Sequence, residues 1–181
     1  VYEKYGDEEI LSVHLSSGLS GAYSSAVHAA EMISNPNVTV IDSLTVGPAL
    51  GWMVELAAYG SKHNWGKERI LDAMRQVKEN TITMVTFSDL KHLIHSGRVS
   101  HIKSIIASVL KIKPIIGMNA ADGRYSNVGQ GMPGSRAVHK MVSVVHERFG
   151  DQTLRLQLMH GSNLPGVDVL RGAVKEMLRV V

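Results

Sequence analysis

The sequence predicts an α/β fold with two α/β sub-domains and largely parallel sheets. Strand-like, β-branched runs alternate with Ala-rich or amphipathic helical runs, which is typical of parallel sheets with right-handed crossovers. One linker-like segment, residues 61–66, interrupts this alternation. We therefore expect the remaining part of a first domain at 1–63 and a second domain at 64–181, whose C-terminal part is incomplete. Because the sequence begins and stops inside such patterns, we expect a fragment that is truncated at both ends.

The first sub-domain is predicted to have the order β-α-β-α. The first strand runs into a turn rich in serine and glycine, and a helix rich in alanine follows. The β-branched second strand is predicted to be buried, and the second helix is predicted to stop at Gly60, since glycine commonly ends helices. The predicted strands cover 10–15 and 38–41, and the predicted helices cover 22–33 and 48–59.

The second sub-domain begins with a helix whose apolar residues Ile70, Met74 and Val77 share one face. Pro114 has no N–H group to donate to a neighbouring strand, so we expect either that its strand lies at a sheet edge or that Pro114 lies at the start of the strand. Asp122-Gly123 predicts a hairpin turn. The predicted helices cover 67–80, 89–94, 102–110, 135–149 and a segment from about 166, and the predicted strands cover 81–87, 112–118, 125–128 and 154–159.

The composition excludes several classes of site. The 181 residues include no cysteine, which excludes disulfides, thiolate nucleophiles, iron–sulfur clusters and Cys-type zinc sites. A chain without cysteine fits the reducing cytoplasm, where we expect this protein. Its net charge of +3 is too small to predict nucleic-acid binding. No run approaches the ~18 apolar residues of a membrane helix, so no integral membrane segment is expected.

The most informative local feature is the turn at residues 16–23, where a strand ends in three serines and two glycines before a helix opens. The first N–H groups of a helix lack internal partners and, with the helix dipole, attract an anion such as a carboxylate or phosphate. The hydroxyls of Ser17 and Ser20 would complete such a site. Alternatively, one serine is the helix N-cap and the glycines form the turn. Both interpretations remain open at this stage.

The same turn also suggests a serine hydrolase that acts on acyl esters. A nucleophile elbow has the pattern Gly-x-Ser-x-Gly, but Gly18-Leu19-Ser20 is followed by Gly21-Ala22, so the last glycine is missing. Candidate partners for a catalytic triad are Asp42, Asp89 and His160. This interpretation is weaker than anion binding.

Two further clusters follow in the second half of the chain. His92 and His95 lie three residues apart, near His101, and we interpret them as surface histidines rather than metal ligands. Arg98 lies in a glycine-containing turn, where its guanidinium would pair with a carboxylate or phosphate, or cap a helix C-terminus.

Four blocks in order resemble the DegV family of bacterial fatty-acid-binding proteins. The first is the serine-rich turn, and the second is Val40-Ile41-Asp42-Ser43 with the small-residue helix that follows. The third resembles the family's "DLxxLxxGGRIS" block, and the fourth resembles its "LxIKPIL" block, with Asp122-Gly123 after it. The blocks lie at residues 16–26, 40–51, 89–100 and 110–116.

The resemblance implies that a long-chain fatty acid is held between two α/β domains, with no other cofactor and no metal. It also implies a carrier rather than an enzyme: a partner fatty-acid kinase subunit would phosphorylate the carboxylate of the bound lipid. The implied carboxylate contacts are Ser17, Gly18, Ser20 and Arg98, and the implied acyl tunnel includes Leu110, Ile115 and Ile116.

The chain departs from the family pattern at several points. Ser96 replaces the first glycine of the Gly-Gly-Arg turn, and residues 130–134 replace a segment that is usually rich in lysine and arginine. The family's Thr-Ser-x-Pro and Gly-x-His-x-Gly-Pro-Gly blocks, which supply head-group contacts, are absent. A chain truncated in this way exposes a face that would support a homodimer.

Overall fold

The structure, a computed structural model, describes residues 1–6, 8–33, 37–87, 113–131 and 135–181. The chain divides into two compact units. The first comprises Val1–Thr83 and Met118–Tyr125, and the second comprises Met84–Gly117 and Ser126–Val181. This division differs from the expected boundary after residue 63, because the helix that follows the linker packs within the first unit.

The first unit contains a short parallel sheet and three α-helices. Its elements are a 3-10 turn at Tyr2–Tyr5, β1 at Ile10–His14, α1 at Ala22–Ile33, β2 at Val38–Asp42, α2 at Pro48–Lys62 and α3 at Lys67–Glu79. Strands β1 and β2 pair in parallel from Ile10 opposite Val38 to His14 opposite Asp42. The predicted β-α-β-α order and the parallel pairing are therefore confirmed.

The predicted stop of α2 at Gly60 is wrong, because the helix continues to Lys62. Gly60 is buried, and a Cβ atom there would lie 2.8 Å from Cγ1 of Ile70 and 3.1 Å from Cε3 of Trp65. This glycine therefore permits the close approach of α3 to α2 and does not end the helix.

The core of the first unit lies between helices α2 and α3 and one face of the sheet. Its buried members are Met53, Ala57, Ile70 and Met74, and the partly buried Leu11, Val13 and Ile41 pack against them. The apolar face predicted for α3 is thus confirmed. Residues alternate between the two faces of a strand, so Ser12 and His14 lie on the opposite face of β1.

The second unit contains two small sheets and two described helices. Its elements are β3 at Met84–Thr86, β4 at Lys113–Met118, β5 at Tyr125–Gly131, α4 at Ser135–Phe149, β6 at Thr153–Leu154, α5 at Leu164–Met177 and β7 at Arg179–Val180. The boundary residues Met118 and Tyr125 of the β4–β5 hairpin belong to the first unit. Val142 of α4 packs with Ala173 and Val174 of α5.

Strand directions in the second unit differ in part from the expectation of largely parallel sheets. One sheet has the order β3-β4-β5, with β3 antiparallel to β4, whereas β6 and β7 pair in parallel. An apolar run looks the same whichever way its neighbour runs, so the pattern alone does not specify direction. The β4–β5 hairpin is confirmed, and Pro114 lies at the start of β4, one residue before the ladder to β3 begins at Ile115.

Two strands are much shorter than predicted. The segments expected at 81–87 and 154–159 form strands only at Met84–Thr86 and Thr153–Leu154. The helices predicted at 89–94 and 102–110 lie outside the described residues, as do Arg98 and Leu110.

A candidate ligand-binding site at the serine-rich turn

Three turns meet in the first unit at the carboxyl ends of its parallel strands. Residues 15–21 follow β1, residues 43–47 follow β2, and residues 119–124 form the tip of the β4–β5 hairpin. In open α/β sheets, ligands bind at this edge, outside the carboxyl ends of the strands. The serine-rich turn therefore lies where a binding site is expected, and the hairpin tip is an additional component of it.

Ser16 joins all three turns. It is 0% exposed, and its hydroxyl donates a hydrogen bond of 2.6 Å to the carbonyl of Gly123 in the hairpin tip. The same Oγ accepts a hydrogen bond of 3.1 Å from the amide of Gly18, and the amide of Ser16 donates to the carbonyl of Thr45 at 3.0 Å. Ser16 is thus a buried structural anchor, and its hydroxyl is fully engaged.

Asp42 connects the ends of the two parallel strands. Its Oδ1 accepts hydrogen bonds from the amides of Ser17 at 3.1 Å and Leu44 at 3.0 Å. Leu44 has a φ of 52°, a left-handed conformation that bulky side chains rarely adopt. The carboxylate therefore stabilises a strained turn and fixes the backbone of Ser17 at the same time.

Ser20 lies one residue before the N-cap of α1. Its Oγ accepts a hydrogen bond of 3.2 Å from the amide of Ala22, the first helical residue, whereas the first intrahelical bond of α1 runs from the amide of Ser25 to the carbonyl of Gly21 at 2.9 Å. The N-cap residue is therefore Gly21, and the prediction that a serine is the N-cap is wrong, although the Ser20 hydroxyl does bond to the start of the helix. A carboxylate contact through Ser20, or through the already engaged amide of Gly18, stays a prediction.

Ser17 differs from its neighbours because it presents an exposed side chain. Its amide is bound to Asp42, but no described residue forms a hydrogen bond with its hydroxyl. Among the three serines of the turn, Ser17 therefore combines a fixed backbone with a hydroxyl that has no hydrogen-bond partner in the described part of the chain. Its role as a carboxylate contact stays a prediction.

Ile115 and Ile116, the predicted tunnel residues, lie on β4 in the second unit and are 0% and 1% exposed. As adjacent strand residues they point to opposite faces of the sheet, so β4 is covered on both faces there. Register pairs them with Thr86 and Val85 of β3. They are apolar and buried, as the prediction requires, and whether they contact an acyl chain stays a prediction.

Sequence reasoning missed the part that the hairpin tip plays in the site. Asp122-Gly123 indicated a turn, but nothing local indicated that this turn meets Ser16, which lies 107 residues away in the chain. The structure shows why a glycine stands at this position: Gly123 has a φ of +64°, and a Cβ there would lie 2.0 Å from Oγ of Ser16. Such a position admits only glycine, and this restriction marks a close contact.

The hydrolase interpretation finds no support in this geometry. Ser20 Oγ accepts from the amide of Ala22, Asp42 Oδ1 accepts from two backbone amides, and no described histidine hydrogen-bonds Ser17 or Ser20. His160 lies on an exposed loop of the second unit.

Within the described ranges, no group of three or more His, Cys, Asp or Glu residues has the geometry to hold a metal ion. The described helices include none with both the length and the apolar character needed to span a membrane.

Comparison with known proteins yields consistent matches over nearly the whole chain. A DegV domain-containing protein from Staphylococcus aureus (strain N315) is 32% identical over 182 residues, which cover 99% of this chain and 64% of that protein. The chain thus spans about 64% of the length of this relative.

Two solved structures share the fold. One is the structure of a DegV family protein from Thermus thermophilus that is described by its fatty acid binding. It has a TM-score of 0.79 at 22% identity, and the match covers 99% of this chain and 66% of the Thermus thermophilus chain. A DegV lipid binding protein from Thermotoga maritima has a TM-score of 0.79 at 25% identity over 99% of this chain and 63% of its own. A family model described as "Uncharacterised protein, DegV family" matches residues 1–181. The chain belongs to the DegV family.

Proposed function

We propose that this chain is part of a carrier that binds a long-chain fatty acid and presents it to a partner kinase. The observation that carries the proposal is the geometry of Ser17, whose backbone is fixed by Asp42 while its hydroxyl faces no described partner. A hydroxyl held in this way at the edge of a parallel sheet suits a single carboxylate head group.

The surroundings of Ser17 favour an anion. Helix α1 begins five residues after Ser17, at Ala22, and its first amides carry the positive end of the helix dipole. In the proposed complex, the Ser17 hydroxyl donates to a carboxylate oxygen, and Gly18 and Ser20 line the same turn. Arg98, in the third block of the family pattern, would contribute positive charge at the head group or the partner surface.

The acyl tail would supply most of the binding free energy. About fifteen buried methylene groups at ~0.8 kcal/mol each amount to ~12 kcal/mol of gross transfer free energy. Lost translational freedom and chain ordering offset several kcal/mol of this. Leu110, Ile115 and Ile116 are the proposed tunnel residues, and the fatty acid binding of the Thermus thermophilus relative supports a ligand of this class.

The reaction belongs to the partner in this proposal. The kinase would supply the phosphoryl donor and transfer a phosphoryl group to the carboxylate, which yields an acyl phosphate. The chain itself needs only to bind the lipid and expose its head group.

Two experiments test the proposal. Native mass spectrometry compares protein from which lipid has been extracted with protein loaded with oleate and shows whether a fatty acid binds. Titration with a fluorescent fatty acid then measures the affinity of the Ser17→Ala variant. Loss of one hydrogen bond to a charged group costs about 1.5–3 kcal/mol, so we expect roughly 10- to 100-fold weaker binding. Ser25→Ala is the matched control, because it removes an exposed hydroxyl from the first turns of α1 without touching the serine-rich turn. Equal affinities of the two variants would remove Ser17 from the site.

A further arm separates the carrier from the hydrolase. A fluorophosphonate probe should leave Ser17 and Ser20 unlabelled under conditions that label a serine esterase. Absence of any bound fatty acid after loading would refute the carrier proposal.

A further inference from the structure

We propose that Ser16 is a positioning residue, which sets the geometry of Ser17 by latching the serine-rich turn to the hairpin tip. This inference rests on the proposed function, because it assigns the device that holds the proposed carboxylate contact in place. The latch consists of the Ser16 hydroxyl, the Gly18 amide and the Gly123 carbonyl.

The hydrogen bonds of Ser16 enclose Ser17 from both sides along the chain. The Ser16 hydroxyl donates its single proton to Gly123 at 2.6 Å and accepts from Gly18 at 3.1 Å. Ser17 lies between Ser16 and Gly18 in the chain, and its own amide is bound to Asp42. Its main chain is therefore held at three successive positions while its hydroxyl is left for a ligand.

Close packing against the hairpin tip holds the same turn. A Cβ at Gly18 would lie 2.6 Å from the carbonyl oxygen of Asp122 and 2.9 Å from that of Gly123. A Cβ at Gly123 would lie 2.0 Å from Ser16 Oγ. The two surfaces thus meet without room for a methyl group on either side, and this packing adds to the hydrogen bond between Ser16 and Gly123.

This arrangement links the order of the hairpin tip to ligand affinity. If the turn binds a carboxylate only in its latched form, opening of the tip lowers the population of the competent state and weakens binding in proportion. The tip carries its own reporters, since the amide of Asn119 donates to Arg124 O and the amide of Gly123 donates to Asn119 O, both at 2.9 Å.

Hydrogen exchange on Ser16→Ala and Ser43→Ala tests the latch. Both serines are 0% exposed and both hydroxyls are hydrogen-bonded, but the bonds described for the Ser43 hydroxyl go to the amide and carbonyl of Thr45, two residues away, and none goes to the hairpin tip. Without ligand, we expect the amides of Asn119 and Gly123 to exchange roughly 3- to 10-fold faster in Ser16→Ala, the factor that loss of a buried hydrogen bond implies, and at the native rate in Ser43→Ala. Unchanged exchange in Ser16→Ala, or equal acceleration in both variants, would overturn the proposal.

Oleate affinity supplies the second readout. We expect Ser16→Ala to bind oleate roughly 3- to 10-fold more weakly at unchanged stoichiometry, and Ser43→Ala to bind like the native chain. Native affinity in Ser16→Ala would overturn the positioning role even if the tip exchanges faster. If the native chain binds no oleate, the proposed function fails, whereas the ligand-free exchange measurement still decides whether the latch exists.

A second pair of variants covers the case in which Ser16→Ala does not fold. Gly18→Ala forces the tip away from the turn without removing a hydroxyl, and Gly21→Ala adds the same methyl group where nothing lies within 4 Å. Faster tip exchange in Gly18→Ala but not in Gly21→Ala supports the latch, and equal exchange in the two variants overturns it.

Discussion

The contact between the serine-rich turn and the hairpin tip can be measured as a difference in stability between Gly18→Ala and Gly21→Ala. Both glycines lie in the same turn, and neither has a positive φ. A methyl group at Gly18 would meet two backbone oxygens at 2.6 Å and 2.9 Å, whereas one at Gly21 meets nothing within 4 Å. The pair thus isolates the steric contact with the tip.

The magnitude follows from two opposing contributions. Replacing glycine by alanine reduces the conformational entropy of the unfolded chain, which stabilises the folded protein by about 0.4–1 kcal/mol. At Gly21 this gain is offset by the loss of a favourable N-cap residue, since alanine is a poorer N-cap than glycine, and Gly21→Ala should stay near the native stability. Overpacking against rigid backbone costs about 1–3 kcal/mol, so Gly18→Ala should be less stable than Gly21→Ala by about 0.5–2 kcal/mol.

Urea unfolding followed by tryptophan fluorescence is suited to this comparison. Trp52 and Trp65, the two tryptophans of the chain, both lie in the first unit with the two glycines and the hairpin tip. The expected result is a lower midpoint for Gly18→Ala and a native or higher midpoint for Gly21→Ala, with equal slopes. A difference in unfolding free energy below about 0.5 kcal/mol, the effect of an ordinary surface substitution, would refute the contact.

Two further predictions concern single side chains. Asp42→Ala should lower the unfolding free energy of the first unit by about 1–3 kcal/mol, because two amides lose their acceptor. Asp42→Asn keeps an oxygen at this position and should recover most of the lost free energy. Unfolding followed by tryptophan fluorescence measures both variants, and equal losses would contradict the prediction. Asn163→Ala should destabilise the second unit by about 0.5–2 kcal/mol, because the Asn163 side chain accepts from the amide of Gly166 at the start of α5. Thermal unfolding followed by circular dichroism measures this effect, and an unchanged midpoint temperature would count against the cap.

Local signals were sufficient wherever an element depends on its own residues. Helices α1 and α4 have the predicted bounds of 22–33 and 135–149, because alanine-rich or amphipathic composition and flanking turn residues are present within each segment. The hydrogen bond from the first amide of α1 to Ser20 has the same local origin, since the hydroxyl and the amide lie two residues apart. The position of the candidate site could be predicted for this reason.

Interpretations failed where one residue served a different partner than the local pattern suggested. Gly60 resembled a helix stop but accommodates Ile70 of the next helix, and the apolar run of β4 did not reveal that β3 runs antiparallel to it. In the serine-rich turn, three chemically identical serines have three roles: Ser16 anchors the hairpin tip, Ser17 is exposed, and Ser20 bonds to the first amide of α1. The residue type is the same in all three cases, and only the burial and the hydrogen-bond partners of each serine differ. Composition therefore cannot distinguish the three roles.

The sequence by itself determined the α/β class, the order of the elements in the first unit and the turn that forms the candidate site. These follow from periodicity, capping and glycine placement, which act over a few residues. Only the tertiary structure decided that Ser16 bonds to Gly123, 107 residues further on, and that residues 118–125 join the first unit. Such contacts depend on which distant surfaces fit together without room for a methyl group, and this complementarity exists only once the chain has folded.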